Sequence, residues 1–220
     1  VLWNSASTSI KYNFSESVIA VFMLVACIFT LLPTSVSADD ETIKTITPGD
    51  LSRQEPTKEQ IVAAMDSVAK YTTVFKEEPS VQAPYATGKL DENFLQNGVD
   101  YLNYIRYIAH LPQVQLSDEL NENAQYGPVL LAANDELSHY PTKPADMEES
   151  FYKKGYDTTT TSNLGMGYYN LAAHILGGME DDSSNSNLSV VGHRRWLLSS
   201  RLKYVGFGFA KGNYPYSATK

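Results

Sequence analysis

The side chains that could do chemistry in this chain are few: four histidines, His110, His139, His174 and His193, and one cysteine, Cys27. Imidazole nitrogens and carboxylate oxygens are natural zinc ligands, and a carboxylate beside bound zinc can activate water for hydrolysis. The sequence contains no HExxH, no CxxC and no GxSxG string, so local spacing specifies neither a metal centre nor a serine nucleophile. Each histidine also has a structural reading. His139, just before Tyr140-Pro141, suits a helix C-terminus, where an imidazolium meets the last carbonyls and the dipole. His193 reads equally well as a buried, hydrogen-bonded ring behind Trp196, with Arg194 and Arg195 solvated or paired to acids. His110 ends another helix and His174 lies at the edge of an apolar stripe; neither is assigned a functional role.

The elements that must position these groups begin after a segment of different character. Val18 to Leu32 is an apolar run, VIAVFMLVACIFTLL, too short for a comfortable membrane span and suited to a signal-peptide core. Lys11 precedes it, and Val36-Ser37-Ala38 supplies small residues before Asp39-Asp40, so residues 1–38 read as a signal peptide cleaved after Ala38 and touching a membrane only in transit. Two alternatives stand beside this reading. One is an uncleaved anchor through residues 18–32; the other is lipid modification at Cys27, since Leu24-Val25-Ala26-Cys27 resembles a lipobox. Cleavage after Ala38 would leave no cysteine and hence no disulfide framework.

Residues 39–56 carry Pro48-Gly49 and Pro56 without apolar periodicity and read as a linker. Residues 57–89 read as a short helix and then an irregular extension, because Thr57 to Gln60 has capping-box spacing while Pro79, Pro84 and Gly88 break the chain beyond it. Leu95, Val99, Leu102, Ile105 and Ala109 make one helical stripe between Asp91 and His110. Ser117 caps a helix running towards Ser138 with Pro128 inside it. Leu164 to Leu176 is the cleanest amphipathic pattern, expected to end at Gly177-Gly178, and Val191 to Leu198 is a further short helix. Val205, Phe207 and Phe209 alternate with Gly206, Gly208 and Ala210, the pattern of a strand that another layer approaches closely.

At 220 residues, 43% hydrophobic and 19% charged, the chain has material for one core. A net charge of -8 and a pI near 5.0, with no Lys/Arg run, exclude a nucleic-acid footprint.

Several strings in order resemble a bacterial, SCP-like domain of the CAP superfamily of cysteine-rich secretory, antigen and pathogenesis-related proteins. They are Leu102-Asn103-Tyr104-Ile105-Arg106, Ala133 to His139, Gly155-Tyr156, Ser162-Asn163-Leu164, Gly192 to Leu198, and Val205-Gly206-Phe207-Gly208. The resemblance implies an α+β fold, an α-β-α sandwich with helices on both faces of a small antiparallel sheet, over residues 90–220. It also implies a cleft with two histidines and two acids. His139 and His193 match the histidine positions and become the candidate metal ligands, with zinc as the possible cofactor. One acid is altered, because the family's Glu-Asn-Ile/Val string is Ser162-Asn163-Leu164 here; Ser162 as a nucleophile near His139 would need every partner assumed. Glu180 or Asp181 is the candidate for the second acid, and Glu180 the candidate catalytic residue of a hydrolase. The family's glycine-rich strand is followed by another strand, whereas this sequence ends at Lys220. The expectation is therefore a domain missing its C-terminal strand, with an exposed edge and poor solubility.

Functionally the resemblance implies a secreted module that binds lipids, glycans or partner proteins at or outside the cell envelope. A zinc-assisted hydrolase acting on peptides and a structural cell-surface appendage are the alternatives.

Overall fold

Local signals in the sequence fix most element starts. The computed structural model describes residues 55–183 and 187–220; the leader, anchor and Cys27 readings, and all but the end of the linker, lie outside them. Helix α1 (Lys58–Asp66) opens with the reciprocal capping box, Thr57 Oγ1 accepting from Gln60 N and Gln60 Oε1 from Thr57 N. Strands β1 (Phe75–Glu77) and β2 (Lys89–Leu90) pair antiparallel. Helix α2 (Glu92–Ile108) is capped by the Asp91 carboxylate, which accepts from Asn93 N and Phe94 N. Strand β3 (Gln115–Leu116) leads to α3 (Asp118–Asn134), capped by Ser117. Asp135, with φ 53°, closes α3 in the left-handed region. The helix therefore stops short of Ser138, and His139 is not part of it.

The second half runs α4 (Glu149–Thr161), β4 (Asn163–Met166), α5 (Leu171–Asp181), α6 (Gly192–Leu197), β5 (Tyr204–Val205), β6 (Phe207–Lys211) and β7 (Pro215–Thr219). The apolar run from Leu164 to Leu176 is split between a strand and a helix. Gly167, at φ +86°, breaks the chain after β4, and Asn170 caps α5 by accepting from Ala173 N at 2.7 Å. Gly177 and Gly178 do not end α5 but lie buried within it. They are there for close approach: a Cβ at Gly177 would strike the Tyr168 ring, and one at Gly178 would come to 3.3 Å from His193 Cδ2.

Strands β4, β7 and β6 form an antiparallel sheet in that order, and side-chain alternation assigns its faces. Leu164, Ala210, Tyr216 and Ala218 meet Val129, Leu131 and Ala132 of α3 on one face. Phe207 and Phe209 meet Phe94 and Leu102 of α2 with Leu171 and Ile175 of α5 on the other, with Phe94 and Phe209 edge to face at 5.4 Å. Helices cover both faces of a small antiparallel sheet, so the fold is the α-β-α sandwich. The core on the α2/α5 face also takes in Met65, Val68 and Tyr71, so the chain from Glu55 to Lys220 packs as one unit.

The expectation of a missing strand and a bare edge is corrected here. Strand β7, at the end of the sequence, pairs with β6 along its length, Phe207 to Lys211 against Thr219 to Pro215. Aromatic Tyr216 is its buried centre. The free side of β6 is closed by α3. Phe207 N donates to Asn121 Oδ1 at 2.9 Å and Phe209 N to Gln125 Oε1 at 2.8 Å, while Gln125 Nε2 donates back to the Phe209 carbonyl at 2.7 Å. Two amides one helical turn apart thus act as the neighbouring strand that β6 lacks. Gly208 permits this approach, since a Cβ there would run into the Ala124 carbonyl.

One buried cation ties the cores to the site. Arg106 of α2 is wholly buried and donates to the carbonyls of Pro112 at 2.8 Å, Leu197 at 2.6 Å and Ser199 at 3.1 Å. It thereby holds the C-terminal end of α6 against α2.

Candidate functional site

A cleft of roughly 540 Å³ opens where β4 begins and β7 ends, between the end of α4 and α6, and both His139 and His193 line it. The two histidines brought together by resemblance therefore face one space. Glu180 and Asp181 do not line it. Glu180 is exposed, its charge bearing on the phenols of Tyr101 and Tyr168; Asp181 is exposed and accepts from Asn187 Nδ2 at 2.5 Å. The acid in the cleft is Asp182, wholly buried at the C-cap of α5.

Asp182 is fully occupied by α6. Its Oδ1 accepts from His193 Nδ1 at 2.9 Å and His193 N at 3.3 Å, and its Oδ2 from Arg194 N at 2.6 Å. It performs in trans the work of an N-cap carboxylate, satisfying free N–H groups in the first turn of α6. Val191 at the start of α6 has φ 46°, a left-handed conformation costly for a β-branched residue, and it aims that turn at Asp182. Sequence reasoning passes over Asp182 because the carboxylate is chosen by where α5 ends. With Gly177-Gly178 taken as the end of the helix, nothing marks Asp182 as the residue at its cap.

Both imidazoles are oriented in the same sense. A carbonyl only accepts, so at His139 the proton is on Nδ1, donated to the Thr159 carbonyl in the last turn of α4 at 2.5 Å. At His193 the Nδ1 proton goes to Asp182. In the neutral form of each ring Nε2 is then the acceptor, and among the described residues no hydrogen bond reaches it. His139 does cap a helix end, as its structural reading held, but the helix is α4 and not its own.

The donor set does not complete a metal site. Among the described residues no group of three or more His, Cys, Asp or Glu is placed to hold a metal ion. Two imidazole nitrogens remain, with Ser162 where the family has an acid and the oxygens of Asp182 engaged by α6. A catalytic zinc takes three protein ligands, so the residues present do not fit one.

Ser162 is the residue left over. It is 8% exposed, lines the cleft, and its Oγ has no hydrogen-bond partner. An unmade hydrogen bond at a buried hydroxyl costs about 1–3 kcal/mol. Beside it Asn163 donates to the His193 carbonyl at 3.3 Å, and Lys220 is held by Asp157 at 2.9 Å and Thr161 Oγ1 at 2.5 Å. At the rim Trp196 is 69% exposed, on the same side of α6 as His193, three residues away.

His174 lies beneath the cleft wall. It is fully buried, with Nε2 at 3.0 Å from Thr219 Oγ1 and Nδ1 unpartnered. Burial, with a smaller contribution from the charge of His193, pushes its pKa down to about 3, so it is neutral at ordinary pH.

An α-β-α sandwich with two histidines in a cleft at the end of its sheet defines the class. The sequence profile of the cysteine-rich secretory protein family, CAP, matches residues 99–218, just over half of the chain, and the chain belongs to that family. Among solved structures it is similar to an extracellular protein containing an SCP domain from Bacillus anthracis str. Ames. The identity is 16% and the TM-score 0.42, with 60% of this chain and 41% of that chain covered. The chain thus spans less than half the length of that protein. No curated protein matches this chain. No helix among the described residues is long and apolar enough to cross a membrane.

Proposed function

We propose that this CAP-family chain is exported and acts as a binding module at or outside the cell envelope, using the cleft between α4 and α6 to engage its partner. The observation that carries this reading is the lining itself: His139, His193, Asn163 and the exposed ring of Trp196 come together on one cleft. Binding, rather than hydrolysis, is what the other groups support. The cleft carboxylate is committed to α6, which leaves no carboxylate free in the cleft to act as a metal ligand or base, and Glu180 is outside it. Export rests on the apolar run, the small residues before Asp39, and the single cysteine.

The test is retention of the full chain on envelope material of the producing cell, compared with a Thr161→Trp variant. Thr161 is exposed at the cleft mouth, so an indole there closes the cleft without disturbing the core. Wild-type retention that falls at least tenfold in the variant, with unchanged melting temperature, is the expected result. Equal retention of the two would place binding elsewhere on the molecule and overturn the reading.

A further inference from the structure

We infer that the partner taken by the cleft is an uncharged oligosaccharide, with a pyranose ring stacked on Trp196 and its hydroxyls bonded along the cleft to Asn163 and the two histidines. The inference rests on the binding-module reading and names its ligand class.

Charge is the first argument. The two full charges in the lining are already engaged: Asp182 accepts from His193 Nδ1 and the first turn of α6, and Lys220 donates to Asp157. The two arginines of α6 are also engaged. Arg194 bonds the Met179 carbonyl and Ser183 Oγ, and Arg195 bonds the Val190 carbonyl at 2.9 Å. Among the described residues, a phosphate or carboxylate would find no unengaged cation in the lining, and a metal cation no third ligand.

Hydrogen-bonding capacity is the second argument. His139 and His193 each present an acceptor Nε2, their tautomers fixed by Thr159 and Asp182, and Thr160 and Asn163 line the same wall. A hydroxyl both donates and accepts, so adjacent sugar hydroxyls can satisfy a lining in which donors and acceptors alternate. An acyl chain could not, because burying these polar groups against methylenes leaves them unpaired.

The third argument is Trp196. An indole 69% exposed at the rim of a polar cleft contributes little to the core. It offers an apolar face of the size of a sugar ring, whose axial C–H groups are electropositive and meet the π-cloud favourably. His193 and Trp196, three apart on α6, place the stacking face and a hydrogen-bond acceptor on one side of the helix. A cleft of roughly 540 Å³ lies within the range that holds ligands of a few rings.

The experiment is calorimetric titration of the full chain with two neutral probes, triacetylchitotriose and cellotriose, each to about 10 mM, a range that detects even millimolar affinity. Wild type, Trp196→Ala and His139→Ala are compared, with melting curves recorded for each. Saturable binding of either sugar, weakened at least tenfold by Trp196→Ala and about threefold to tenfold by His139→Ala, is the expected result. Because Trp196 is exposed, its variant keeps the wild-type melting temperature. No saturable heat with either sugar, or binding indifferent to Trp196, overturns the inference. If the sugars fail while Thr161→Trp still abolishes envelope retention, the binding-module reading stands and the ligand class is wrong. If both fail, the reading falls with it.

Discussion

The edge of β6 and the mouth of the cleft face the same problem, strand-end and helix-end polar groups without a neighbouring strand, and they resolve it differently. At β6 the outward groups at its centre have partners inside the protein: Asn121 and Gln125 take the N–H groups of Phe207 and Phe209, and Gln125 returns a donor to the Phe209 carbonyl. At the cleft, among the described residues, the Nε2 atoms of His139 and His193 receive no hydrogen bond. Satisfied polar groups specify structure; unsatisfied ones facing a cavity await something from outside. The contrast assigns stability to one region and recognition to the other.

The largest effects are expected on the stability side. Arg106→Leu should cost about 3–5 kcal/mol, because three carbonyls lose a buried donor and the side chain that fills the space changes shape. Urea unfolding measures it, and a cost below about 1 kcal/mol would mean that α6 is held by something other than Arg106. Gln125→Leu keeps the volume but strips the edge of β6, for an expected loss of about 2–4 kcal/mol and a rise in aggregation of the folded protein. If the variant stays monomeric and stable, the amide pair is not what closes the edge.

A smaller effect comes from His174. Its folded pKa is depressed, about 3 against 6.5 unfolded, so the unfolded chain binds the proton first. The stability contributed by the neutral ring is complete above pH 6.5 and is lost as pH falls towards 3. Between pH 7.5 and pH 5 the wild type should lose about 2 kcal/mol through this one group. His174→Gln keeps a hydrogen-bonding group near Thr219 and cannot titrate, so its loss over the same interval should be smaller by that amount. Identical acid limbs would show that His174 is not held neutral.

How much of this is legible in the sequence differs between the two regions. Elements set by local chemistry are readable: the Thr57 box, the Asp91 to His110 helix, the Ser117 cap and the alternating strand at Phe207. Those set by tertiary approach are not. Gly177-Gly178 looks like a helix end, yet it is a notch cut for Tyr168 and His193. The segment Pro215 to Thr219 does not stand out as a strand, although its alternation has Tyr216 and Ala218 facing α3. At the site, His139 and His193 emerge through resemblance and do line one cleft. Asp182 is missed in favour of Glu180 and Asp181, because which of three adjacent acidic residues turns inward depends on the helical phase at the end of α5.

Zinc titration of the full chain by calorimetry, beside a His139→Ala, His193→Ala double variant, puts the division between a committed carboxylate and an open cleft to its plainest trial. With Asp182 committed to α6 and Ser162 in place of an acid, no one-to-one zinc binding should separate wild type from the double variant. Stoichiometric zinc at micromolar affinity, lost in the double variant, would contradict this and show that the two imidazoles recruit a third ligand after all.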